Sequence, residues 1–242
     1  MTLIAGIILP KGILIVSDTR DSDDKTDEII HDYSRKITFV APDCVLGTSG
    51  SESSFYTAKI LRNCLYNSHD AISTRDRRKY ILDFYNSVND FCSKTNKIKN
   101  YPVGCALLAD YDTENDSFTL TSVKNFVNQN YSFTFNKVGD VDLIGASETI
   151  QDMAKVKIQA VLQSLSEDQL KHPNAYKYIA DNCQTIFQQA AKEYAGISDK
   201  LYVVYLSTLH NKPASACFLL EEDGSSHDVD RLQDGEVISY PK

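Results

Sequence analysis

No apolar run in this sequence approaches the ~18 residues of a membrane-crossing helix, and no basic segment precedes an apolar stretch near its start. A membrane span, a membrane partner and a secretory signal are therefore not expected, and the chain reads as soluble and cytoplasmic. Glycine (10) and proline (6) are scarce among 242 residues, which excludes a collagenous or low-complexity chain. Basic residues are outnumbered, 25 Lys and Arg against 33 Asp and Glu, for a net charge of −8. A nucleic-acid partner is not expected from that balance. Cys44, Cys64, Cys92, Cys105, Cys183 and Cys217 stand singly, with no CxxC or CxxH, and the histidines add no ligand pair at short spacing. No metal and no cofactor is called for, and a chain of this length builds its core without disulfides. Linkers and repeats are also missing, so residues 1–242 read as one domain, with 221–242 a polar extension.

What is present is a block pattern. Leu3–Leu9 is a near-continuous apolar run, Pro10-Lys11-Gly12 has turn chemistry, and Ile13–Val16 starts a second run, so both read as buried strands. Asp21–Ser34 is polar and reads as a loop. Strands follow at 36–40 and 44–47, then a helix with Ser51 at its N-cap and Phe55, Ala58, Ile60, Leu61, Cys64 and Leu65 on its apolar side. A second helix covers 75–95, with Tyr80, Phe84, Val88 and Phe91 at helical spacing. Strands are expected at 103–109, 117–123, 131–135 and 141–144, helices at 148–165 and 175–194, and strands at 201–206 and 214–220. This order predicts an α+β fold that stacks two sheets between two helical layers. The basic run Arg75–Lys79 reads as a solvated helix face.

The chemistry starts at Thr2. Removal of Met1 would leave a threonine whose own α-amine, ordinarily titrating near 7.7–8.0, is positioned as general base for its hydroxyl. A turn at Pro10-Lys11 pairs residues whose numbers sum to about 21, which sets Thr2 beside Asp18–Arg20. Asp18 and Arg20 are two apart and share a strand face. By itself, an acid and an arginine at a strand end is an ordinary surface ion pair.

Thr2-x-x-x-Gly6, Gly12-Ile13-Leu14-Ile15-Val16-Ser17-Asp18-Thr19-Arg20, Arg35-Lys36-Ile37 and Leu46-Gly47-Thr48-Ser49-Gly50, in this order, resemble proteasome β-type subunits and the HslV-type threonine peptidases. These belong to the N-terminal-nucleophile hydrolases. The resemblance implies a four-layer αββα sandwich with two antiparallel sheets between helical layers. It implies that Thr2 is the nucleophile, that Lys36 disfavours protonation of the Thr2 amine, that Asp18 orients Lys36, and that Arg20 supports the loop. Gly50 would supply the backbone N–H for the oxyanion. Thr48, Glu52 and Tyr56 would line the substrate pocket, where the Glu52 carboxylate favours a Lys or Arg side chain. Two later motifs depart from the family. Ala146 stands where a serine supports the amine, leaving Ser147 or water in that role. Gly196 stands where another serine is usual, leaving Glu193, Ser198 and Asp199 as candidate supports. The implied partners are a peptide or unfolded-protein substrate, a homo-oligomeric ring and an ATPase unfoldase. The alternatives are a non-catalytic proteasome-like scaffold subunit and an amidase acting on small molecules with the same nucleophile.

Overall fold

A computed structural model describes residues 2–23, 26, 28–95, 103–124, 130–231 and 235–240. The apolar runs become β1 (Leu3–Leu9) and β2 (Gly12–Asp18), both buried along their whole length and joined at Pro10-Lys11. The other strands of the larger sheet are β10 (Val141–Gly145), β11 (Leu201–Leu209), β12 (Lys212–Leu220) and β13 (Ser226–Asp228). Its order is β10-β1-β2-β11-β12-β13, every pair antiparallel. A second antiparallel sheet runs β5 (Ile37–Ala41), β6 (Cys44–Gly50), β7 (Gly104–Asp112), β8 (Ser117–Lys124) and β9 (Ser132–Phe135) in chain order.

Period-two alternation explains why β1 is apolar throughout. Leu3, Ala5, Ile7 and Leu9 join a core with α3 (Glu148–Gln163) and α5 (Ala175–Glu193), through residues such as Ile150, Ile158 and Phe187. Ile4 and Ile8 point the other way, into a cluster with Ile37, Phe39, Val45, Leu107 and Leu120 of the second sheet. That sheet in turn sends Leu46, Ala106 and Leu108 into a third cluster with α1 (Glu52–Leu65) and α2 (Thr74–Thr95). The fold is therefore mixed α+β, with apolar clusters on both faces of the central strands.

Several expectations are corrected. The described residues form three sheets, not two: the stretch read as a loop carries β3 (Asp21–Ser22) paired with β4 (Ile29–His31). Between α3 and α5 lies a further short helix, α4 (Glu167–Lys171), closed by a capping box in which Ser166 and Gln169 satisfy each other's backbone N–H groups. Ser51 occupies the N-cap position of α1, but its hydroxyl donates to Val103 O at 2.8 Å and caps nothing. Ile60 and Cys64 lie on the exposed side of α1.

In α2 the buried face is Arg77, Ile81 and Tyr85, whereas Tyr80 and Phe91 are 51% and 68% exposed. Periodicity alone cannot choose between two adjacent faces, and here a charge decided. Arg77 is buried and holds Asp43 through two bonds of 2.7 and 2.9 Å, while Arg78 holds the fully buried Asp110. Half of the basic run is thus engaged in ion pairs and is not a solvated face. Of the described residues after 220, 226–228 add β13, and Val229 and Ile238 are buried in the cluster between the sheets. Among the described residues no helix is long and apolar enough to cross a membrane.

Candidate active site

The β1–β2 ladder runs from Leu9↔Gly12 to Ile4↔Ser17, so paired numbers sum to 21. Extended by two residues, this register brings Thr2 level with Thr19, flanked by Asp18 and Arg20. Asp18 is fully buried and accepts the Leu3 N–H at 2.8 Å, which seats its carboxylate against the peptide that follows Thr2. Lys36 immediately precedes β5 of the neighbouring sheet. Its Nζ donates to both Asp18 oxygens, at 3.0 and 2.9 Å, and to Arg20 O at 2.6 Å. Arg20 N donates to Asp18 as well, at 3.1 Å. A buried ion pair persists only when its remaining donors and acceptors are satisfied, and here both partners are.

Arg20 does not enter the cleft. It grips Asp32, with Nε to Oδ1 at 2.6 Å and the second nitrogen to Oδ2 at 3.1 Å, and it donates to Ala195 O and Ile197 O. The hydrogen bond from Arg20 holds the Asp32 carboxyl below the ordinary carboxylate range. Between Asp18 and Arg20, Thr19 receives Ser198: the two hydroxyls lie 2.9 Å apart, and Thr19 N donates to Ser198 Oγ at 3.3 Å. Of the weaker candidates, Ser198 is thus drawn to this corner, and Asp199 adds charge favourable to Arg20. Glu193 ends α5 as an exposed residue and Ser147 caps nothing at the start of α3; neither lines the cleft.

Thr2 is held from the other side by Gly145, the partner of Leu3 in the β1–β10 ladder. Gly145 has φ +107°, and a Cβ there would fall 2.1 Å from Thr2 O, so only glycine permits this approach. Gly50, at the end of β6, has the same requirement. Its φ is +116°, and a Cβ would sit 2.4 Å from Gly104 Cα and 2.7 Å from Val103 O. Thr48 N donates to Lys36 O at 2.9 Å, tying the glycine's strand to the lysine's.

Thr2, Lys36, Thr48, Gly50, Glu52 and Tyr56 line one cleft of about 580 Å³. Asp18 lies behind it. Sequence reasoning missed other members. Asp32 was hidden among the many acids of the 21–34 stretch, and nothing local marks which of them meets Arg20. Ile30 and His31 come from the small β3–β4 sheet, and Glu236 comes from the last described segment, where the Tyr56 hydroxyl bonds its carboxylate. That bond keeps the Tyr56 phenol above its ordinary value. Among the described residues no three His, Cys, Asp or Glu side chains gather as metal ligands. The arrangement offers a hydroxyl-bearing residue near the chain start, a compensated buried cation beside it, and a glycine-walled groove. No protein-family model and no curated protein matches the chain.

Proposed function

We propose that the chain is a threonine-type N-terminal-nucleophile peptidase of the proteasome β-type and HslV kind. The observation that carries the reading is that Thr2 and Lys36 line one cleft, with the buried Asp18 paired to Lys36 behind it. With Met1 removed, Thr2 Oγ attacks the scissile carbonyl carbon and its proton passes to the Thr2 amine. The Lys36 charge opposes protonation of that amine before the attack. The developing oxyanion takes a hydrogen bond from the Gly50 N–H. Collapse expels the amine half of the peptide, which takes the proton, and leaves an ester on Thr2 Oγ that water then hydrolyses.

The apolar clusters on both faces of the central strands support the four-layer αββα arrangement as part of the same proposal. The resemblance extends it to a cytoplasmic homo-oligomeric ring fed with unfolded protein, with an ATPase unfoldase as partner. A non-catalytic scaffold subunit is the second reading, and Ala146 favours it, being a buried methyl where the family has a hydroxyl.

The test is peptide hydrolysis by the protein and by Thr2→Ala, read beside the intact mass. Loss of Met1, hydrolysis of a peptide panel, and no hydrolysis by a folded Thr2→Ala variant are the expected results. Equal activity in the variant rejects the mechanism. A protein that keeps Met1 and cleaves nothing supports the scaffold reading.

A further inference from the structure

Gly50 rests against a wall that α2 and one tyrosine hold in place. Ser51 N donates to Val103 O at 3.0 Å, and bonded and non-bonded pairs alternate along an antiparallel ladder. Gly50 and Gly104, the next pair, are therefore a non-bonded one. The Gly50 N–H points away from β7, to the side on which Thr48 N bonds Lys36 O and Gly50 lines the cleft. The polar groups of Gly104 point the other way, away from β6 and beyond the last described β7–β8 pair, Ala106↔Val123.

One side chain meets both of them. The Tyr131 hydroxyl donates to Gly104 O at 2.6 Å and accepts from Gly104 N at 3.1 Å, as a neighbouring strand would. Burial pushes its phenol up to about 12, so the proton it donates is kept through the neutral range. Tyr131 is itself buried, with its ring 5.5 Å from that of Tyr85 and its backbone N–H on Asn86 Oδ1 at 2.6 Å. Asn89, three residues further along α2, accepts the Val103 N–H at 3.2 Å. Residues 103 and 104 are thus pinned from behind. In front there is no slack, because a Cβ on Gly104 would fall 2.0 Å from Ser49 O. Ser49 O and the Gly50 N–H belong to one rigid peptide plane, so a shift of Gly104 turns that N–H.

We propose that Tyr131 is a positioning residue for the oxyanion donor: by holding both polar groups of Gly104 it fixes the Ser49–Gly50 peptide, and with it the direction in which the Gly50 N–H enters the cleft. The inference rests on the peptidase reading for the use of that N–H, but amide exchange tests the coupling without turnover. In the full-length chain, hydrogen exchange is read residue by residue by fragmentation mass spectrometry. The Gly104 and Ser51 amides are expected to be protected. Tyr131→Phe keeps the ring and removes the hydroxyl, and should speed exchange at both amides by about tenfold or more while the β1–β2 amides stay as they were. Asn86→Ala, which frees only the Tyr131 N–H, should do the same to a smaller degree and decides the matter if Tyr131→Phe does not fold. Unchanged exchange at Ser51 overturns the proposal, as does faster exchange along the whole chain, which marks a role in stability alone. Peptide hydrolysis is scored apart. With an active protein, Tyr131→Phe should lower kcat by about tenfold to a hundredfold and leave KM within about twofold, and an unchanged kcat overturns the proposal. A protein that cleaves nothing removes the peptidase reading, and exchange at Ser51 then decides the coupling by itself.

Discussion

Lys36 Nζ lies 2.9 and 3.0 Å from the two oxygens of Asp18, eighteen residues earlier in the chain and fully buried. The pair joins the residue just before β5 to the last residue of β2, and through the Leu3 N–H it reaches the peptide after Thr2. Under the proposed mechanism stability and chemistry meet in this one contact, and mutation should separate them.

Lys36→Ala leaves the Asp18 carboxylate buried without its cation and should cost about 3–5 kcal/mol. The double variant Asp18→Asn, Lys36→Met removes both charges and should recover much of that loss. Neither should hydrolyse peptide, and Lys36→Arg should not restore the rate, because its planar head carries the charge in a different geometry. Urea unfolding and hydrolysis across pH measure the two effects. A double variant with wild-type rates would reduce Lys36 to a structural residue.

Gly50→Ala forces a side chain into a backbone at φ +116° and against Gly104 Cα. Backbone strain alone costs about 1–3 kcal/mol, and the β6–β7 edge must also part. The expected outcome is a lower unfolding midpoint together with lost hydrolysis. Gly139→Ala is the comparison, since its φ is +87° but a Cβ there meets nothing within 4 Å. It should show only the conformational cost and keep activity.

Asp32 gives the protein an acid-sensitive latch. The Arg20 hydrogen bond lowers its pKa in the folded state, so the unfolded chain binds the proton more readily. The contribution is complete above the ordinary aspartate value of about 3.9 and is lost as pH falls through the lowered folded value. Asp32→Asn should therefore be less stable than wild type at neutral pH, with the gap closing as acid protonates Asp32. Unfolding curves between pH 7 and strong acid test this, and a gap independent of pH would refute it.

Thiol labelling reports on the core. All six cysteines are free. Burial pushes the Cys183 thiol up to about 12 and raises that of Cys44, whereas Cys64 is exposed on α1. A maleimide at pH 7.5 should modify Cys64 in the native protein and reach Cys44 and Cys183 only in denaturant. Rapid native labelling of Cys183 would contradict the packing of α5 onto β1 and β2.

Local chemistry made part of this molecule legible without coordinates. Seven consecutive apolar or small residues before Pro10-Lys11 and six after it leave few choices but a buried hairpin, and a tight turn sets its register, so Thr2 could be set beside Asp18 and Arg20 from numbers alone. Helical spacing likewise located α1, α2, α3 and α5 to within a few residues. It did not locate the buried face of α2, because Tyr80 and Ile81 begin equally regular stripes and the choice fell to the Arg77–Asp43 pair.

What only the tertiary structure decided is which distant groups meet. Arg20 selects Asp32 from an acid-rich stretch, Thr19 finds Ser198, and the Tyr56 hydroxyl finds Glu236. Each choice depends on how a strand end or a chain terminus crosses another element, and no periodicity or turn preference encodes that crossing. A buried hydrogen bond such as that between Thr19 and Ser198, 179 residues apart, is decided by a few tenths of an ångström between segments. The sequence carries the groups, but their meeting is a property of the packed chain.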